Sequence, residues 1–198
     1  MHLAAYLAIA FLSLGVAAYA VIAYAFFPIG ALLHPDMRAS FEAHRVVVYL
    51  HVFASALTLA LGPFQFSARL RASRPALHRW MGRLYLGVGV LVGGVAGLVM
   101  ALNAYGGLAS NVGFGVLAVL WLYTGLRAYL AIRARDFAAH RLWMIRNFAL
   151  AFAAVTLRLW LPAAVLAGID FDIAYPVIAW LCWVPNFVVA LVWTRRLG

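Results

Sequence analysis

The chain has 198 residues, 68% hydrophobic and 10% charged, with a formal net charge of +10 from fifteen arginines, five acids and no lysine. A water-soluble domain of this length does not show such a composition. The positive charge flanks apolar runs, where it meets anionic cytoplasmic lipid, and this argues against nucleic acid as its partner.

A hydrocarbon core of about 30 Å is crossed by roughly 20 helical residues. Six apolar stretches are long enough: 3–27, 45–66, 80–102, 112–132, 142–167 and 174–194. The first contains Ala18-Tyr19-Ala20, which resembles a signal-peptide cleavage site. No arginine precedes it and the run continues through Phe27, so it reads as a spanning helix. Residues 28–43, with His34-Pro35-Asp36, read as a loop. The second stretch carries His51, Ser55, Thr58 and Gly62 on one face, with Gln65 close to it.

Arg69, Arg71, Arg74, Arg79 and Arg83 surround the entry to the third stretch. Arg127, Arg133, Arg135, Arg141 and Arg146 surround the junction of the fourth and fifth, and Arg195 and Arg196 follow the sixth. Asp36, Glu42, Asp170 and Asp172 occupy the alternate loops. By the arginine bias that orients membrane helices, the basic loops are cytoplasmic. The expectation is an all-α integral membrane bundle of six transmembrane helices, one domain over 1–198, in the inner (cytoplasmic) membrane with both termini cytoplasmic. Cys182 lies inside an apolar run and reads as a small core residue.

The entries to the third and fifth helices echo each other. Arg71-Ala72, Ala76, His78 and Arg79 recur sixty-two positions later as Arg133-Ala134, Ala138, His140 and Arg141, and Trp80-Met81-Gly82-Arg83 is matched by Trp143-Met144-Ile145-Arg146. This points to a parallel internal repeat of helices 2–3 and 4–5. It brings two His-Arg corners to equal depth at helix N-termini, where free N–H groups and the helix dipole favour an anion. Arg79, Arg83, Arg141 and Arg146 can clamp a phosphate or carboxylate there. Otherwise they anchor helix ends among lipid headgroups, as flanking arginines commonly do.

Along the fifth helix His140, Met144, Asn147, Ala151, Ala154 and Arg158 share a face, as do His78, Gly82, Tyr85, Gly89, Gly93 and Ala96 along the third. Small residues in such a row serve helix packing first and a flat cofactor second. Arg158 lies about 27 Å along the helix from His140, at a depth like that of His51. A cation there costs on the order of 3 kcal/mol or more if exposed to lipid, which marks Arg158 as a ligand-binding candidate. His51, Asn186 and Asp170 are its expected companions.

Gly62-Pro63-Phe64-Gln65-Phe66, Arg71, the run from His78 to Tyr85, and the run from His140 to Asn147 resemble the bacterial membrane-protein family called domain of unknown function 2306. The resemblance runs from about His44 to Arg158. It implies a multi-pass membrane fold, assigns no activity, and singles out His51, Gln65, His78, Arg79, Arg83, His140, Arg141, Arg146 and Arg158.

Two functions are compatible with these residues. In one, His78 and His140 ligate the iron of a b-type haem between the third and fifth helices, nearby arginines hold its propionates, and His51 serves a second haem or a quinone in an electron-transfer module. In the other, the protein binds or transports an anionic or amphiphilic small molecule, with the His-Arg corners as inner gate and His51 with Arg158 as outer site. Asp136 is the one acid among the basic loops, so paired-carboxylate catalysis is not available there.

Overall fold

The computed structural model describes residues 3–31 and 33–196, apart from the side chain of Asp36. Among these residues the fold is all-helical, with six helices long and apolar enough to cross a membrane: Leu3–Phe26, Arg45–Gln65, Pro75–Ala101, Gly107–Arg133, Phe137–Leu166 and Phe171–Arg195. Short connections make successive helices antiparallel. In lipid, this is the arrangement that satisfies every backbone group without an open edge.

Helices three to six begin three to five residues before the apolar runs do, and the cause is local chemistry. Pro75 occupies the first turn of helix three, where its missing N–H is no loss. Gly106, at φ 86°, turns the chain into helix four. The carboxylates of Asp136 and Asp170 accept hydrogen bonds from Ala139 N and Asp172 N at the starts of helices five and six. Hydropathy sees only the lipid-facing part of a helix, so these polar first turns escape it. The segment expected as a plain loop over 28–43 also contains a helix, Pro35–Ala43, opened by a proline in the same way. A further short helix, Ala68–Ser73, is capped by the Ser67 hydroxyl and bridges helices two and three.

Helices two to five form the centre. Helix one lies mainly along helix two, and helix six packs on helices four and five. Close approach depends on small residues. On helix one the buried positions are Ser13, Ala17, Ala20 and Ala23. On helix three Gly89, Gly93 and Gly97 face helix two. A Cβ added at these glycines would stand 2.1 Å from Thr58 Oγ1, 3.2 Å from Ala54 Cβ and 2.8 Å from His51 Nδ1 respectively. A Cβ at Gly62 would lie 2.1 Å from the Phe148 ring of helix five. The expected small-residue face of helix three is therefore filled by helix two.

Three helices are interrupted. Residues Tyr85–Val92 of helix three are wound as a π-helix. Helix five breaks at Phe152, and helix six breaks at Cys182-Trp183 just ahead of Pro185, the mid-helix site that Pro185-Asn186 suggests. Cys182 is fully buried in the core.

Candidate functional site

At the arginine-rich end, His78 and His140 each donate a backbone N–H that closes the first helical turn, to Arg74 O and Asp136 O. The two rings lie within electrostatic range of one another, with Arg71 and Arg79 also acting on His78. His140 Nδ1 is 2.9 Å from the carbonyl of Ala128 on helix four. In the neutral ring that nitrogen carries the proton, leaving Nε2 with the free lone pair. His78 Nδ1 is buried and has no hydrogen-bond partner, and the same holds for Gln65 Nε2 at the end of helix two. Gln65 is 7% exposed and lies over helix three, with Oε1 3.5 Å from where a Cβ of Gly82 would stand.

The four corner arginines divide into two pairs. Arg83 stacks on Trp80 at 4.9 Å. Arg146 stacks on Trp143 at 4.7 Å and donates to Thr194 Oγ1 at 2.9 Å. These two are held by aromatic rings, as interfacial anchors are. Arg79 and Arg141 are exposed and have no protein partner among the described residues. The helix N-termini also differ from the open anion sites expected of them. Pro75 has no N–H to offer, and the Asp136 carboxylate already occupies the start of helix five.

Deeper in the bundle, Asn147 joins three helices. Its Nδ2 donates to Trp121 O at 2.8 Å and to Thr124 Oγ1 at 2.9 Å, while its Oδ1 accepts from Tyr85 Oη at 3.0 Å. Tyr85, Thr124 and Asn147 are fully buried. Tyr85 and Asn147 stand sixty-two positions apart, the offset of the His78 and His140 echo.

Toward the other end, His51 Nδ1 lies 2.8 Å from the carbonyl of Gly93, at the end of the π-helical turn. Arg158 donates from Nη1 to Ala154 O at 2.9 Å, and its guanidinium sits 5.4 Å from the centre of the Tyr19 ring on helix one. No carboxylate pairs with it among the described residues. Arg158 borders a cavity of about 130 Å³ between helices one and five, lined also by Tyr19, Tyr24, Pro28, Leu157 and Leu161. The expected companions are otherwise engaged. Asn186 donates to Thr156 Oγ1 at 3.1 Å and to Cys182 O at 2.9 Å, and Asp170 caps helix six. His51 remains within electrostatic range of Arg158. The expected ligand set of Gln65, Arg158 and Asn186 thus splits among three places.

The imidazole pair His78 and His140 suits haem iron by donor type, and no group of three or more His, Cys, Asp or Glu forms a metal site among the described residues. Space is the tighter condition. Helices three and five touch at Tyr85 and Asn147, about 10 Å deeper than His78. The cavities of about 130 and 80 Å³ both lie toward the opposite end, whereas pockets for such ligands hold several hundred Å³. A haem held by both histidines would sit between the two helix entries, on the arginine-rich side of the Tyr85–Asn147 contact.

Residues 48–194 match the family described as predicted membrane protein (DUF2306). The chain belongs to that family. The match reaches beyond Arg158 to the last turn of helix six, and it leaves out helix one with Tyr19 and Tyr24. Nothing among curated proteins or solved structures matches the chain. In this DUF2306 protein, Tyr19, Tyr24, Thr124 and the Trp121 carbonyl are the site residues that the sequence pattern did not bring out. Tyr19 and Tyr24 read there as ordinary members of an apolar run, and a backbone carbonyl leaves no trace in sequence.

Removing the Asn147 amide breaks three hydrogen bonds at once and leaves the Tyr85 hydroxyl without a partner, whereas Thr124 and the Trp121 carbonyl keep their bond to one another. Asn147→Ala is expected to cost about 2–4 kcal/mol in reversible unfolding from detergent, against about 1 kcal/mol for Tyr85→Phe. Equal losses for the two variants would contradict the role of Asn147 as the shared partner.

Proposed function

We propose that this DUF2306 protein binds the anionic head of a membrane-partitioned small molecule in the cavity between helices one and five. The observation that carries this reading is Arg158. A guanidinium with five N–H donors lies within a membrane-spanning helix, bonds one carbonyl, faces no acid among the described residues and borders open space. Burying a cation without a counter-ion is costly, and a carboxylate or phosphate entering the cavity would remove that cost. Tyr19 and Tyr24 add polar edges to otherwise apolar walls, which suits a ligand with a charged head and a hydrocarbon tail.

Oleate, whose carboxylate and chain match this division, is the first probe. At an oleate concentration one hundred times its dissociation constant, the wild-type protein should gain about 2.7 kcal/mol of stability. Arg158→Gln should lose most of that gain, while Arg158→Lys should keep part of it. Undiminished stabilisation of Arg158→Gln would remove the proposal.

A second reading rests on a different observation. His51 and His140 each point Nδ1 at a backbone carbonyl, the arrangement that presents Nε2 to a metal. We propose haem b ligation by His140 and His78 as the alternative function. Its test is the visible spectrum of the purified protein, oxidised and then dithionite-reduced, after expression with a haem precursor. The anion-binding reading expects no Soret band, and a stoichiometric band lost in His140→Ala would establish the alternative.

The arginine bias supports an inner-membrane protein with the His78 and His140 end in the cytoplasm, so that Arg158 lies in the outer half of the bilayer. An alkaline phosphatase fused after Arg196 should accordingly be inactive. An active fusion would invert the topology.

A further inference from the structure

The arginine-rich end holds an unsatisfied polar cluster that the Arg158 cavity does not explain. Gln65 is buried on helix two, yet its Nε2 has no partner, and one helical turn from the Gly82 it covers, His78 Nδ1 is buried without a partner as well. Buried nitrogens are nearly always hydrogen-bonded, because leaving one unpaired costs about 1–3 kcal/mol. Two together, on adjacent helices, point to a missing shared partner.

The surroundings specify its chemistry. His140, Arg71 and Arg79 lie within electrostatic range of His78, and the arginines have no protein partner among the described residues. Asp136, the one acid in these loops, has its carboxylate engaged as a helix cap. An amide, two imidazoles and two guanidiniums are thus gathered at one end of the bundle against a single carboxylate that is already engaged. Donors on helices two and three and on the Ala68–Ser73 helix suit a group with several acceptor oxygens, and a phosphate that carries a proton can donate it to the His140 Nε2 lone pair. A planar carboxylate presents only two oxygens to them.

We propose that Gln65, His78 and His140, assisted by Arg71 and Arg79, bind a phosphate group at this end of the bundle. The site lies at the membrane edge, so the phosphate belongs either to a phospholipid headgroup or to a soluble molecule. Gln65 is committed to this site by its burial, whereas lipid-anchoring arginines such as Arg83 and Arg146 already rest on tryptophans. The proposal stands independently of the Arg158 cavity.

Thermal unfolding of the full chain in a neutral detergent tests it, with inorganic phosphate and dioleoyl phosphatidic acid as separate probes and chloride added to match ionic strength. A saturable rise in melting temperature with inorganic phosphate identifies a soluble ligand, and a rise with the lipid alone identifies a headgroup. In either case Gln65→Leu and His78→Phe should abolish the response. Arg71→Ala, an exposed change on a short helix that leaves the core intact, should weaken it roughly tenfold or more. No response to either probe, or an unchanged affinity in Arg71→Ala together with either core variant, overturns the proposal.

Discussion

Asn147 sets the geometry on which both candidate sites depend. In hydrocarbon there is no water to compete for its amide, and its three hydrogen bonds hold helices three, four and five at one rotation about their axes. Every polar atom of the side chain is engaged, so the network rigidifies the centre instead of straining it. His140 lies seven residues to one side of Asn147 and Arg158 eleven to the other, near whole numbers of turns in both directions. Fixing Asn147 therefore fixes the angle at which helix five presents His140, and it sets the end of the helix from which the Arg158 half departs.

The shared face of helix five is nonetheless divided in space. His140 meets helix four, Asn147 meets helices three and four, and Arg158 meets helix one. The break at Phe152 lies between Asn147 and Arg158 and lets the outer half leave the central axis. Nothing in the sequence marks this break, because no proline or glycine stands there. By contrast, Pro185 announces the break in helix six, and the carbonyl of Cys182 within that break accepts from Thr156 and Asn186.

How much was legible follows from the same physics. The six spans are visible because a helix in lipid needs a long apolar run, and that signal is strong in one dimension. The first turns of helices three and five were not, since Pro75 and Asp136 are polar stop signs to a hydropathy count and start signals to a helix. The glycine row of helix three was legible as a packing face, although its partner was not, because periodicity gives the direction of a face and never its neighbour. For the same reason four corner arginines looked equivalent in sequence. Only the positions of Trp80 and Trp143 separate the anchored Arg83 and Arg146 from the unpartnered Arg79 and Arg141.

The cavity beside Arg158 has walls of unlike origin. Arg158, Leu157 and Leu161 come from the region that defines the family, whereas Tyr19, Tyr24 and Pro28 precede it. Helix one buries Ser13, Ala17, Ala20 and Ala23, and it also packs through Ile9, Leu12 and Val16 and donates from Tyr6 Oη to the carbonyl of Pro63. If the proposed cavity is the binding site, the helices within the family match would act as a fixed chassis and helix one as the panel on which recognition is written. Exchange of that helix alone would then change which molecule is admitted, while the buried network around Asn147 stayed as it is.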